Sequence, residues 1–114
     1  MRVLLVEDEP MISMLLCDMV ESAGHEVAGE ASSVDRALEM VAEVQADAAI
    51  VDLRLHNHDS YGVMQRLREK GIPFAVASGF GADIDRELAG TDVPIVSKPY
   101  SAGEVANVLT RLAG

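Results

Sequence analysis

Short aliphatic runs that end abruptly on polar or charged residues constrain this chain more than any other feature. Val3 to Val6 runs into Glu7-Asp8-Glu9, AAIV runs straight into Asp52, IPFAVAS ends on Ser78, and VPIVS stops before Lys98. A four-residue run with no polar alternation is the pattern of a strand buried on both faces, which is the situation in a parallel sheet. Between the runs the period changes to that of helices. Pro10 suits a first helical turn, apolar residues recur at Ile12, Leu15, Leu16 and Met19, and Gly24 supplies a left-handed stop. HEVAGEA reads as a weaker second strand, and Ser32 or Ser33 caps a helix with Val34, Ala37, Leu38 and Val41 on its apolar face.

A polar loop, RLHNHDSYG, then leads to a helix around Val63, Met64 and Leu67 that Gly71 closes. Residues 79–90 show the least regular pattern. Gly79 and Gly81 loosen the start there, and Asp83, Asp85, Arg86 and Glu87 leave few apolar anchors for the short fourth helix expected in that stretch. Ser101 with Glu104 forms a capping box that opens a last helix carrying Val105, Val108, Leu109 and Leu112 on one face. Five strands alternating with about five helices predict a doubly wound α/β domain, because right-handed crossovers lay each helix against the sheet. With 114 residues, about half of them hydrophobic, one core over residues 1–114 is the expectation. No repeat, low-complexity segment or linker points to an attached output domain.

The core must be aliphatic, since there are two Tyr, two Phe and no Trp. A formal charge of −10 argues against direct binding of nucleic acid, whose phosphates call for Lys and Arg. The lone Cys17 cannot form an internal disulfide and sits in a helical pattern as a small core residue; with no signal-peptide core or membrane span at the start, the expected compartment is cytoplasmic.

In an open α/β sheet the functional crevice lies beyond the carboxyl ends of the strands. Glu7 and Asp8 follow the first strand, Asp52 the third, Ser78 the fourth and Lys98 the fifth. Three carboxylates at one crevice repel one another, and a hard divalent cation with oxygen ligands, magnesium above all, resolves that repulsion. Lys98 and the Ser78 hydroxyl complete a pocket for a tetrahedral oxyanion beside Asp52. Taken singly, Ser78 is an ordinary strand-end hydroxyl and Lys98 a solvated charge; their joint placement reverses both readings.

Through LLVEDEP, AAIVDL, VAS and SKP, in that order and each at a strand end, the chain resembles the response-regulator receiver family over its whole length. The resemblance implies a flavodoxin-like sheet of order 2-1-3-4-5, with Asp52 as acceptor of a phosphoryl group from a histidine. It also implies Asp8 as a direct magnesium ligand, Glu7 beside it, the backbone carbonyl of Arg54 as a further ligand, Lys98 on the phosphoryl oxygens before a cis bond to Pro99, and Ser78 closing onto the phosphate. Partners would be a histidine kinase or histidine phosphotransfer protein and an unknown downstream protein, the chain acting as a monomer or weak dimer. It would catalyse only its own phosphorylation and dephosphorylation.

Three departures narrow the type. HNHDSYG is longer than the family's usual loop and lacks its proline, PFAVASGFG is similar to a Phe-Ala-Thr-Gly subgroup of single-domain receivers, and Ile95 stands where many receivers carry a switching aromatic. The last points to Ser78, Phe80 and Tyr100 as the switch instead. His56 and His58 with Asp59 read as solvated surface rather than a transition-metal site. The alternatives are a haloacid-dehalogenase-like phosphatase, which wants an acid where Arg54 stands, and an interaction module that needs no phosphorylation; flavin binding lacks the hydroxyl and glycine run needed after the first strand.

Overall fold

A computed structural model describes residues 1–55, 58–78 and 93–114. The strands of its main sheet are β1 (Arg2–Val6), β2 (Glu26–Ala31), β3 (Ala48–Asp52), β6 (Phe74–Ser78) and β7 (Ile95–Ser97), in the order β2-β1-β3-β6-β7. All four pairings are parallel. Counted within that sheet the order is 2-1-3-4-5, as the resemblance implies. Helices α1 (Pro10–Ser22), α2 (Val34–Glu43), α3 (Tyr61–Glu69) and α4 (Ala102–Ala113) complete the layers among the described residues. The short helix expected over 79–90 lies outside the described residues.

The strands earn their central place by being apolar on both faces. Val3, Leu5, Ile50, Ala75, Ala77 and Val96 pack with Leu16, Val20, Val105 and Leu109 from α1 and α4. Leu4, Val6, Ala49, Val51 and Val76 face the other way, onto Ala37, Val41, Val63, Met64 and Leu67 from α2 and α3. Alternate residues of one strand thus feed two separate cores, which is why these segments show no polar alternation. Gly24 and Gly71 end their helices with φ of 91° and 71°, backbone that glycine adopts without a Cβ penalty.

Four sequence expectations are corrected. Leu15 is 48% exposed rather than on the packed face, and Ser13 is buried in its stead. The phase of α1 is set by Leu16 and Val20, four residues apart on the core side, and Leu15 lies about 100° round from Leu16. Ser13 tolerates burial because its hydroxyl donates to Glu30 Oε1 at 2.8 Å. Cys17 is only half-buried at the edge of its core cluster. The capping box of α4 is half formed: Ser101 Oγ accepts from Glu104 N, but the Glu104 carboxylate accepts from Ser97 N at 2.6 Å instead of reaching back to its cap. Finally, the polar loop after Asp52 contains an antiparallel ribbon, β4 (Arg54–Leu55) with β5 (His58–Asp59), anchored by the buried Leu55.

Candidate functional site

Strand register brings the chemistry together. Val6 pairs with Val51, Asp52 with Ala77, and Ser78 with Ser97, so the strands end at one level and the residues that follow share one edge. Glu7 and Asp52 are buried there, at 2% and 5% exposure, and Asp8 is half-buried beside them. One carboxylate oxygen of each lies within 4.8 Å of the other two. Lys98 Nζ reaches in from the end of β7, 2.9 Å from Asp52 Oδ2 and 3.4 Å from the Glu7 carboxylate. Its backbone N–H donates to Ser78 O at 3.0 Å, linking the β6 and β7 ends, and the Lys98–Pro99 peptide is cis.

Tyr100 is buried in the α1–α4 core, and its hydroxyl donates to Glu7 Oε2 at 3.4 Å. Arg54 holds its side chain in solvent, while its backbone N–H donates to Asp52 Oδ1 at 3.3 Å. The structure thus gathers Glu7, Asp8, Asp52, Lys98 and Tyr100, with Ser78 at the adjoining strand end. Phe80 and His56 lie outside the described residues, and His58 is exposed.

Burial, reinforced by the neighbouring Asp52 charge, pushes the Glu7 carboxyl from its ordinary 4.5 up to about 7, with Lys98 opposing the rise. Burial alone would lower Lys98, yet its contact with Asp52, helped by Glu7, holds it above the ordinary lysine value. The Tyr100 hydroxyl is also raised, by burial and then by the Glu7 charge. Two buried carboxylates sharing one lysine leave this pocket short of positive charge. An all-oxygen donor set without thiol or imidazole suits a hard divalent cation such as magnesium, and Glu7, Asp8 and Asp52 fit that role.

Because the folded-state pKa of Glu7 is raised, its contribution to stability is fully present below about pH 4.5 and is lost as pH rises towards 7. Urea titrations in chelator at pH 5 and pH 7.5 should therefore show the parent losing more stability with rising pH than Glu7→Gln. Parallel pH dependences in the two proteins would contradict this.

The response regulator receiver domain family matches residues 3–110. The chain belongs to that family. It is 28% identical over 107 residues to the transcriptional regulatory protein PdtaR of Mycobacterium tuberculosis, covering 91% of this chain and 52% of that protein. The chain therefore spans about half the length of that curated relative. Among solved structures, SdrG from Sphingomonas melonis matches with a TM-score of 0.84 and 35% identity over 99% of this chain and 96% of that one. The receiver domain of the sensor histidine kinase PA1611 from Pseudomonas aeruginosa, which holds a magnesium ion in its active-site cleft, matches with a TM-score of 0.84 and 25% identity over 99% and 98%. As a receiver domain the chain is a component of two-component signalling.

Sequence reasoning missed two contacts of this receiver. The Tyr100 hydroxyl on Glu7 joins residues 93 apart and has no local signature. Ser60, read only as part of a polar loop, is wholly buried with its hydroxyl on the backbone of Asp52 and Leu53. A serine just before the apolar helical pattern of α3 was the available signal, and it points to a helix cap instead.

Proposed function

We propose that this receiver accepts a phosphoryl group on Asp52 from the phosphohistidine of a histidine kinase or histidine phosphotransfer protein. The observation that carries the reading is the Asp52 carboxylate, buried at the end of β3 with Oδ2 on Lys98 and two further acids alongside. An Asp52 oxygen forms the new bond to phosphorus as the bond from phosphorus to the histidine nitrogen breaks, and the electron pair stays on that nitrogen. Lys98 exchanges its contact with Asp52 for the incoming phosphoryl oxygens, and the Ser78 hydroxyl donates to them once the acyl phosphate exists. Asp8, Asp52 and the Arg54 carbonyl, with Glu7 alongside, would hold a magnesium ion, which would supply neutralisation of the phosphoryl charge.

Readout runs through Ser78, Phe80 and Tyr100, because Ile95 cannot rotate inward as an aromatic does; Ile95 is 42% exposed. The phosphorylated form then engages a protein partner or passes the phosphoryl group on, as effector, shuttle or sink, in the cytoplasm.

Acetyl phosphate with magnesium should add one acid-stable, base-labile phosphoryl group, and a chelator should stop the reaction. Asp8→Asn should weaken magnesium binding about tenfold or more and Glu7→Gln less, as suits a direct ligand and its neighbour. Equal affinities in calorimetry would show that these roles are misassigned.

A further inference from the structure

Three serines stand at helix N-caps in the described residues, and one of them behaves differently. Ser33 and Ser101 sit in extended backbone, with φ and ψ of −148° and 163° and of −117° and 147°, and each accepts from an N–H of its own helix, that of Arg36 and that of Glu104. This is what an N-cap serine ordinarily does. Ser60, at the N-cap of α3, has φ −109° and ψ 21° and makes no side-chain cap bond. Its hydroxyl points back towards the sheet, 2.6 Å from the carbonyl oxygen of Asp52 and 3.0 Å from that of Leu53. Asp59 Oδ1 accepts from Tyr61 N at 3.2 Å at the helix start instead.

The residue is 0% exposed, so that hydroxyl has no water to turn to and its single hydrogen is shared between two backbone carbonyls. Ser60 N–H also donates to Leu53 O at 3.0 Å, closing the base of the β4–β5 ribbon, while Ser60 O accepts from Met64 N at 3.0 Å within the first turn of α3. One residue therefore joins the end of β3, the ribbon and the start of α3. On the other side, Leu53 N–H donates to Ala77 O, so the peptide after Asp52 is held from two directions. A polar side chain that forgoes its local role is the kind of inconsistency expected where a site makes a demand of its own.

We propose that Ser60 is a positioning residue for phosphoryl transfer: its buried hydroxyl holds the Asp52–Leu53 backbone and thereby aims the Asp52 carboxylate and sets the start of the Arg54 segment. The proposal rests on Asp52 being the acceptor. The carboxylate extends from a backbone whose direction is fixed at the Asp52 carbonyl, and Arg54 N–H meets Asp52 Oδ1 only if the chain turns as it does at Leu53. In-line attack on phosphorus is sensitive to small displacements of the attacking oxygen.

The test compares Ser60→Ala, Ser60→Thr and the parent, with Leu67→Ala as a destabilised control remote from the site. Each is assayed for phosphorylation by acetyl phosphate at saturating magnesium, with the rate expressed per folded molecule from thermal unfolding curves. Ser60→Ala should react about tenfold to a hundredfold more slowly than the parent. Ser60→Thr, which keeps the donor, should recover most of that loss, and folded Leu67→Ala should react at the parent rate. A parent-like rate in Ser60→Ala overturns the proposal, as does a Ser60→Thr no faster than Ser60→Ala or an equal loss per folded molecule in Leu67→Ala. Failure of the acceptor assignment would look different, since Asp52→Asn would then be labelled like the parent. In that case the Leu53 and Arg54 amide resonances of Ser60→Ala, recorded without phosphoryl donor, still decide the positioning: they move if Ser60 holds this backbone and coincide with the parent's if it does not.

Discussion

Asp52→Asn should fold like the parent and take up no phosphoryl group, a fall of about 10³-fold or more, the scale on which loss of a nucleophile registers. Asn has nearly the shape of Asp, and the side chain sits at 7% exposure in contact with Lys98 and with Arg54 N–H. The two donors meet different carboxylate oxygens, so the amide oxygen keeps one of these contacts and loses the other, while the β3 end stays held by the backbone bonds of Asp52 and Leu53 to Ser60 and Ala77. What disappears is the anionic oxygen that forms the bond to phosphorus. Mass spectrometry after incubation with acetyl phosphate and magnesium reads the result directly. Labelling of Asp52→Asn to the parent level would sink the assignment, and partial labelling would point to a second acceptor among Glu7 and Asp8.

Lys98→Met should move two properties in opposite directions. Lys98 Nζ lies between Asp52 and Glu7, and its side chain is 22% exposed against 7% and 0% for theirs. Removing it leaves two buried carboxylates facing each other without their cation. The metal-free protein should lose about 1–3 kcal/mol at pH 7.5, the cost of breaking a buried pair discounted for the partial exposure of the lysine. Magnesium then binds several-fold more tightly, because a competing positive charge has left the pocket. Phosphoryl transfer should nevertheless fall by about 10²–10³-fold, as for loss of a preorganised donor to developing charge. Calorimetry with magnesium and acetyl phosphate kinetics on one preparation separate these effects. Weaker magnesium binding, or transfer at the parent rate, would show that Lys98 does not act as the geometry indicates.

The edge of the sheet was legible from sequence for a simple reason. Parallel strands in register end together, so residues that follow separate apolar runs meet in space even when they are 91 positions apart, as Glu7 and Lys98 are. The four helices among the described residues were legible from their period and caps, and Gly24 and Gly71 from the left-handed turns they make. Helix phase was less secure: Leu15 and Leu16 were equally apolar, and only the packing of Leu16 and Val20 against the strands turned Leu15 outward. The ribbon after Asp52 escaped notice because two-residue strands are too short to show a period.

By itself, then, the sequence determined the alternation of strands and helices and the inventory of groups at the carboxyl edge: Glu7, Asp8, Asp52, Ser78 and Lys98. Those follow from local periodicity and from the geometry of parallel strands. Tertiary structure alone decided how these groups are charged and held. The pKa of Glu7 near 7 depends on burial and on Asp52, which adjoins it only after folding. The same holds for the serines. Ser33, Ser60 and Ser101 look alike in sequence as helix caps, yet Ser60 turns its hydroxyl onto the Asp52 and Leu53 carbonyls. A hydroxyl buried without water takes whatever acceptors the fold brings within reach, and no local pattern specifies those.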